Sequence, residues 1–445
     1  MKNNLKINLI NQQRILKKAT IFLNNKKNTR YDSSLNYLDS VEQNPGHGLI
    51  KFWQNGIVKI PLFFFLILKD FLLSFYEFKF TQINKFKKKN YRNIIISWSR
   101  INNFEKNGSF NDPYFNTNSN LNNDCVWFLI HMDHKIPKKI SDNIVIIKKE
   151  PGIFNYKKFI FFFVNIKNLT TNIMSTIHIQ SHQTKIGYAI FDKFKHLLKI
   201  KLNKIIMPYE GQPFQNIIFK KTEEFDKKIT TIGFVHNYPP ALPTSLIYRN
   251  GSPQKIIVSK SDHKYFLNKY LSWSKRNVLI KESARFIDKN KKMSEKIFLP
   301  GHINSINFII KNLETLFLNY SSLNIQNFEI KNHPQKLKSK FHIEAVNKIK
   351  ELLKKKSIKN NINNINKDNV SIFIGSTGAI IEALEYGCSA IHIVEEPALQ
   401  IYSHFLYPNI KTKTINKNIY FYSLKDSKKL INFGKKNYTF KSYLK

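Results

Sequence analysis

Short apolar runs recur along the chain, separated by polar turns and by segments with helical spacing. In the first two thirds these strand-length runs are 94–98, 126–130, 144–147, 205–207, 232–235 and 256–258. Runs of β-branched and aromatic residues between turn formers are typical of buried strands. Their alternation with helix-like segments indicates a sheet covered by helices on both faces. The pattern therefore predicts an α/β domain over this part of the chain.

A second series of elements follows the charged stretch 288–296. We expect a strand at 297–299, a turn at 300–302 and a helix whose apolar face runs through 303–316. A strand at 325–330, an amphipathic helix at 341–352, an Asn-rich loop at 359–369 and a last strand at 419–422 complete the series. The sequence thus predicts two α/β domains, an N-terminal one over 1–290 and a C-terminal one over 291–445.

The segment 371–394 has the clearest pattern, a strand, a turn, a helix and a second strand. The turn is Gly375 to Gly378, and Gly387 ends the predicted helix. Small residues let a ligand approach the backbone, and the free amides at a helix start favour an anion, commonly phosphate. Ser376 can also cap the helix. The alternative is that Ser376 and Thr377 only cap a buried helix.

The net charge and the cysteine content limit the classes of partner and metal site that the sequence can support. The 445 residues carry a formal net charge of +42. The lysines are spread along the chain among Asn, Ile and Phe, as an AT-rich genome would encode them, and no zinc-finger, RNP or basic-zipper pattern accompanies them. We therefore expect no specific nucleic-acid partner, although a basic surface favours anionic lipid or an anionic donor. The two cysteines cannot form a disulfide framework or a zinc site by spacing, and Cys388 is interpreted as a core residue.

The amino terminus is charged and lacks the apolar core of a secretory signal, so we expect a cytoplasmic protein. The most apolar run, 61–68, is far shorter than the roughly 20 residues that a spanning helix needs. We interpret it as a core helix, with an interfacial helix as the alternative. An interfacial helix would give the protein peripheral contact with the inner membrane surface.

Two predicted turns of the second domain carry groups that bind phosphate. His333 with Pro334 follows one strand, and Ser376 with Thr377 follows another. Both turns leave their strands at the same edge of the predicted sheet, so the side chains are expected to converge on one phosphate. Gly301 and Gly378 are assigned to the same phosphate site. The alternative for His333 is a turn histidine that caps a backbone carbonyl.

Two predicted turns of the first domain carry candidate bases. Glu210 lies in Tyr209-Glu210-Gly211, and His236 follows the strand at 232–235. A carboxylate held in a cleft can remove a proton from an acceptor hydroxyl, and His236 can act in its place or hold the acceptor. A solvated surface glutamate and a buried hydrogen-bonded histidine are the alternatives. The polar segment 105–124 is interpreted as a long surface loop. An inert insertion is the favoured interpretation, and a loop near an active site is the alternative.

This set of motifs resembles that of the inverting GT-B sialyltransferases, which use CMP-activated donors. The resemblance rests on the carboxylate before Gly211, then His333-Pro334, then Ser376-Thr377. It implies two Rossmann-like domains that face each other across a cleft. It makes Glu210 the base, His333 the contact to phosphate and leaving group, and the hydroxyl pair the phosphate cradle. The family usually has two acidic residues before the glycine, whereas here the first is Tyr209.

The segments YEGQPFQN, TIGFVHN and GSTGAIIEALEYG, within 93–395, are also similar to bacterial surface carbohydrate biosynthesis proteins. Residues 382–387 resemble the EA-x-x-x-G segment of many GT-B enzymes, whose glutamate binds the donor ribose. The resemblance makes Glu382 the ribose contact. A glutamate on the helix surface is the alternative.

The implied activity is transfer of a sugar from a nucleotide-activated donor, such as a CMP-sugar, to a cell-surface polysaccharide or glycolipid. We expect an inverting displacement that needs no divalent metal and no cofactor beyond the nucleotide-sugar substrate. Three alternatives stay open. They are a CDP-glycerol-type polyol-phosphate transferase, a nucleotide-sugar epimerase, and a non-catalytic protein of polysaccharide assembly.

Overall fold

The fold is known from a computed structural model that describes most of the chain after residue 75. The described residues are scattered positions before residue 76 and then 76–81, 91–122, 124–151, 182–195, 202–239, 243–287, 293–301, 303, 305–319, 328–333, 339–359, 369–395, 397–425 and 429–444. The predicted core helix at 61–68 lies outside these residues except for Leu68. No helix in the described ranges is both long and apolar enough to cross a membrane.

The first sheet has eight strands among the described residues. In spatial order they are β1 (Tyr76–Phe80), β6 (Ile144–Pro151), β5 (Cys125–His131), β2 (Asn93–Ser99), β7 (Lys204–Pro208), β8 (Thr230–Phe234), β9 (Lys255–Val258) and β10 (Val278–Ile280). All neighbours pair in parallel except β1, which runs antiparallel to β6 at one edge. The central strands β2 and β5 are almost fully buried, which explains their unbroken apolar sequence.

The second sheet has six strands within the described ranges. In spatial order they are β13 (Glu329–Lys331), β12 (Lys296–Phe298), β14 (Val370–Ile374), β15 (Ser389–Ile393), β17 (Ile419–Leu424) and β16 (Ile410–Thr414). The first four pair in parallel, and β17 runs antiparallel to both of its neighbours. Both sheets are therefore mainly parallel, and the prediction of an α/β chain with two Rossmann-like domains is confirmed.

Helices cover the sheets. They are α1 (His182–Phe194), α2 (Pro213–Phe225), α3 (Ser261–Tyr270), α4 (Ile306–Asn319), α5 (Lys340–Lys359), α6 (Ala379–Glu385), α7 (Pro397–Gln400) and α8 (Thr439–Leu444). One hydrophobic cluster runs from the first sheet to the second, and it contains both Ile94 and Phe373. A second cluster packs α4 and α5 on the far face of the second sheet. The two sheets thus share a continuous apolar core, and Cys388 is buried in it as predicted.

The chain returns to the first sheet at its carboxyl end. The short strand β18 (Phe433–Gly434) pairs with β11 (Ser283–Ile287), and α8 places Phe440 and Tyr443 against the core of the first sheet. Lys204 donates to the carbonyl of Leu444 across 2.6 Å, and the amine of Lys281 donates to the carbonyl of Ser442. The boundary at residue 290 stays a prediction, but residues 433–444 pack with the first sheet.

Candidate functional site

Glu210 and His236 meet at the carboxyl edge of the first sheet. The strands that precede them, β7 and β8, are parallel neighbours, so their following turns leave the sheet side by side. Nε2 of His236 lies 3.3 Å from Oε1 of Glu210. The His236 side chain is only 4% exposed, whereas that of Glu210 is 33% exposed. The two candidate bases therefore form one pair, and the carboxylate is the member that solvent or a ligand can reach.

Side-chain hydrogen bonds of Gln212, Gln215 and Arg249 fix the turn that carries Glu210. Oε1 of Gln215 accepts from the amides of Glu210 and Gln212, and the Gln212 side chain donates to Oε2 of Glu210 across 2.7 Å. The buried guanidinium of Arg249 donates to the carbonyls of Gly211 and Ser245. Because both carboxylate oxygens are engaged and the backbone is clamped, Glu210 has a fixed orientation.

The charges within this pair follow from burial and contact. Burial acts to raise the pKa of Glu210, but the hydrogen bond and charge of His236, the Gln212 amide and Arg285 outweigh it and leave the pKa lowered. Burial lowers the pKa of His236, against the opposing effect of Glu210. At neutral pH the carboxylate is therefore charged and the imidazole is neutral. Because a carboxylate only accepts, Nε2 of His236 is the donor of this hydrogen bond.

The polar segment 105–124 forms part of this site, and its interpretation as an inert surface insertion is wrong. It contains the two-residue strands β3 (Asn111–Asp112) and β4 (Thr117–Asn118), and Phe110 and Phe115 bury it against the first sheet. Between these strands the ring of Tyr114 packs edge-on against His236, with centroids 4.7 Å apart. Trp98, at the end of β2, also packs against Tyr114, with ring centroids 5.3 Å apart. Aromatic surface therefore borders the Glu210–His236 pair.

Unpartnered polar groups mark the carboxyl edge of the second sheet. The hydroxyl of Ser376, after β14, and the amide oxygen of Asn332, after β13, are buried and have no hydrogen-bond partner among the described residues. The expected capping role of Ser376 is wrong, because Gly378 is the cap residue of α6 and the amide of Ala379 bonds to Thr377 Oγ1 at 3.3 Å. A buried hydroxyl that neither caps the helix nor pairs with a described residue is a candidate contact for a ligand.

The predicted phosphate residues lie along this edge, but not as immediate neighbours. His333 follows β13, Gly301 follows β12 and Ser376 follows β14, and the sheet order places β12 between the other two. His333 and Ser376 are thus two strand spacings apart, about 10 Å along the edge. His333 is half-buried, and Pro334 lies outside the described residues. The three residues share one edge, as predicted, while their convergence on one phosphate stays a prediction.

Two buried histidines that sequence analysis missed hold the loops of this edge. Nε2 of His392 donates to the carbonyl of Gly375 across 2.6 Å, and Nε2 of His342 donates to that of Pro300 across 2.9 Å. Gly375 has φ +63°, and a side-chain carbon there would lie 3.2 Å from the Pro300 ring. The Gly375 and Pro300 loops therefore pack against each other, and the two histidines hold their carbonyls. Only glycine adopts the backbone conformation of residue 375 without strain.

The site edges of the two sheets are joined by a tyrosine. The hydroxyl of Tyr402 lies 2.7 Å from the carbonyl of Tyr238, in the loop that carries His236, and 3.1 Å from that of Thr377. The hydroxyl of Tyr407 donates to the carbonyl of Pro239 in the same loop. The His236 loop and the Ser376–Thr377 turn are therefore adjacent across the two sheets.

Beneath this joint His263 is fully buried, with its ring 4.1 Å from that of Tyr238 and both nitrogens unpartnered among the described residues. Burial lowers its pKa to about 3. As the pH falls below 6.5, the unfolded chain takes up a proton here that the folded protein does not, so stability is lost. We expect His263→Leu to reduce the stability loss between pH 7.5 and pH 5 by about 2 kcal/mol.

Urea unfolding at the two pH values measures this difference, with His134→Leu at an exposed position as the control for removing any histidine. An unchanged pH dependence in His263→Leu would show that His263 is protonated equally in both states.

The helix α6 carries two glutamates, and they differ in their surroundings. Glu382, the predicted ribose contact, is partly exposed, whereas Glu385 is bonded to backbone amides. Glu382 lies in the first turn of α6 and is partly exposed. Glu385, one turn later, accepts from the amides of Leu430 and Ile431, at 2.6 and 3.2 Å. Glu385 therefore fixes the segment that leads to β18, and the assignment of Glu382 to a ribose stays a prediction.

Comparisons with known proteins give remote likenesses only. No protein-family model and no curated protein matches the chain. Among solved structures it is similar to a UDP-GlcNAc 2-epimerase from Neisseria meningitidis bound to UDP-GlcNAc, with 11% identity, a TM-score of 0.35, and coverage of 72% of this chain and 85% of that one. It is also similar to an alpha,alpha-trehalose 6-phosphate synthase from Burkholderia multivorans, with 10% identity, a TM-score of 0.33, and coverage of 61% and 69%. TM-scores below 0.5 carry no conclusion about function.

Proposed function

We propose that the chain is a glycosyltransferase that moves a sugar from a nucleotide-activated donor to a hydroxyl of a cell-surface polysaccharide or glycolipid. The observation that carries the proposal is the Glu210–His236 pair, which lies at one sheet edge, next to a second edge with an unpartnered Ser376 hydroxyl. A base and a ligand-binding edge on two adjoining parallel sheets are the parts that such a transfer needs.

Glu210 is the base in this proposal, and His236 is the residue that positions it. The exposed carboxylate receives the proton of the acceptor hydroxyl, while Nε2 of His236 and the Gln212 amide hold its two oxygens. A carboxylate with a lowered pKa is a weak base. It is sufficient here because the hydroxyl becomes acidic only as its oxygen bonds to the anomeric carbon. The proton moves to Glu210 as the bond to the leaving nucleotide breaks.

The second sheet takes the nucleotide in this proposal. The Ser376 hydroxyl, which can donate, and the Asn332 amide oxygen, which can accept, have no partner among the described residues, and His333 follows the same strand as Asn332. A phosphate oxygen that accepts from Ser376, and from His333, would have its developing charge stabilised as the nucleotide departs. CMP, UDP and CDP conjugates all present such an oxygen. The edge therefore supports a nucleotide donor without discriminating between cytosine and uracil.

The donor half is tested by removing the unpartnered hydroxyl. We expect Ser376→Ala to leave the unfolding free energy within about 0.5 kcal/mol of the wild type, because the hydroxyl bonds to none of the described residues. Nucleotide affinity is expected to fall by about tenfold to a hundredfold, the range for one hydrogen bond to a charged group. Thermal shifts with CMP, UDP, CDP-glycerol and nucleotide-sugars measure the affinity.

Thr377→Ala is the matched control, because its hydroxyl already accepts from the amide of Ala379. It is expected to lose stability more than Ser376→Ala does. Stabilisation by CDP-glycerol alone would favour polyol-phosphate transfer, and conversion of a UDP-sugar without an acceptor would favour an epimerase. A chain that no nucleotide stabilises would contradict the proposed function.

A further inference from the structure

Arginine is rare in this chain, and three of the arginines lie at the candidate site. Only seven of the 72 basic residues are arginines, and none follows Arg285. The lysine bias makes lysine the default cation, so arginine at a given position indicates a need for the planar guanidinium. Three of the seven, Arg100, Arg249 and Arg285, lie around the Glu210–His236 pair. Arg249 holds the Gly211 turn by donating to its carbonyl, so its role is structural. The roles of Arg100 and Arg285 are not explained in this way.

Arg285 lies against the pair and weakens it as a base. Its Nη1 donates to the carbonyl of His236 across 3.2 Å, while the side chain stays exposed. The described residues take up one of its five N–H donors. Its positive charge lowers the pKa of both Glu210 and His236. A cation that reduces the basicity of the catalytic carboxylate is understandable if an anion neutralises it when the substrate is bound.

Arg100 lies close to Tyr114. It follows β2 directly and is exposed, two residues after Trp98, whose ring packs on Tyr114. Burial raises the pKa of Tyr114 to about 12, with Glu210 adding to the rise and both Arg285 and Arg100 opposing it. Both guanidinium groups are therefore near one aromatic ring, and that ring contacts His236.

We propose that Arg100 and Arg285 together bind an anionic group of the acceptor, a carboxylate or a phosphate monoester on the sugar that receives the transferred residue. This inference rests on the proposed function and specifies its acceptor. The anion is assigned to the acceptor because both arginines lie beside the base. Arg100 follows β2 of the first sheet, and Arg285, on β11, donates to the carbonyl of His236. The Ser376 hydroxyl and the Asn332 amide oxygen follow strands of the second sheet. Tyr114 and Trp98 offer the apolar face on which a sugar ring packs between the charges.

The small number of arginines makes the test direct. With ¹⁵N-labelled arginine the whole protein gives seven side-chain signals, which single Arg→Lys variants assign. We expect inorganic phosphate and methyl glucuronide to shift the Arg100 and Arg285 signals along one saturation curve. Methyl glucoside, which has no charge, is expected to shift neither. Arg276, an exposed arginine in the turn before β10, is the control for non-specific binding of anions.

The variants complete the test. Arg285→Gln is expected to weaken the response of Arg100 by at least about tenfold, and Arg100→Gln that of Arg285, because two charged donors share one anion. The affinities of inorganic phosphate and methyl glucuronide are compared, and the ligand that binds more tightly identifies the acidic group as a phosphate or a carboxylate. Signals that follow separate curves, or that move no more than Arg276, would overturn the inference. So would CMP or UDP shifting Arg285 without Arg100, since the anion would then belong to the donor.

Failure of this inference is distinguishable from failure of the proposed function. Nucleotide binding at Ser376 is measured by thermal shift and does not depend on either arginine. If nucleotides bind while the two arginines do not respond to anions, the acceptor inference alone fails. If the arginines respond and no nucleotide binds, the anion site stands and the glycosyl transfer is contradicted.

Discussion

Glu210→Gln is expected to lower kcat by about a hundredfold to ten-thousandfold, the range found when a general base is removed. Glutamine has the same shape, and its side-chain oxygen still accepts from Nε2 of His236, but it cannot take a proton. Donor affinity is expected to be unchanged, because Ser376 and Asn332 lie on the other sheet. Initial rates at saturating donor, with nucleotide thermal shifts alongside, separate the two quantities.

The control is Glu224→Gln, a half-exposed carboxylate on α2 that pairs with Lys220 and Lys221 at the helix surface. Its turnover is expected to equal that of the wild type. Intact turnover in Glu210→Gln together with its loss in His236→Ala would move the role of base to the histidine. That result would contradict the assignment based on exposure, since only 4% of the His236 side chain is exposed.

Gly211→Ala is expected to destabilise the protein by at least about 3 kcal/mol, because two separate penalties coincide. Gly211 has φ +72°, which costs an L-residue about 1 kcal/mol. A side-chain carbon there would also lie 2.0 Å from the carbonyl oxygen of Ser245, so backbone must move. The same carbonyl accepts from Arg249, which makes the displacement propagate to the Glu210 turn. Urea unfolding at pH 7.5 measures the loss.

Gly387→Ala is the matched control for the backbone penalty alone. Gly387 has φ +74° and no atom within 4 Å of an added side-chain carbon. Its loss is expected to be about 1 kcal/mol, so the excess in Gly211→Ala reports the collision with Ser245. Equal losses in the two variants would mean that the Ser245 loop moves aside freely and that the turn is not clamped.

The sequence predicted the interior strands well and the peripheral ones poorly. Strands such as β2, β5 and β14 are buried on both faces, so their apolar runs identify them without further information. β1 and β16 lie at sheet edges, where charged residues alternate with apolar ones, and neither was predicted. The two residues of β18 carry no pattern, because their pairing with β11 depends on the rest of the fold.

Sequence analysis named some residues of the candidate site, but it did not predict how they are arranged. Glu210 and His236 were found because both follow buried strands, but that they form a pair depends on the order of β7 and β8 in the sheet. Tyr114 was missed because the polar residues around it resemble those of an exposed loop. Arg249 and Arg285 were missed as well, although their rarity in a lysine-rich chain was a usable signal.

The contact of α8 with the first sheet has a consequence for synthesis of the protein. Phe440 and Tyr443 cover one face of a sheet whose own strands are translated much earlier, and all of the second sheet is made in between. Domains generally fold as units while the ribosome elongates the chain, amino-terminal part first. Here Phe115 and Trp127 wait for partners encoded more than 300 codons downstream. The nascent first half therefore exposes apolar surface until residues 440–443 have been made, the condition under which chaperones are needed.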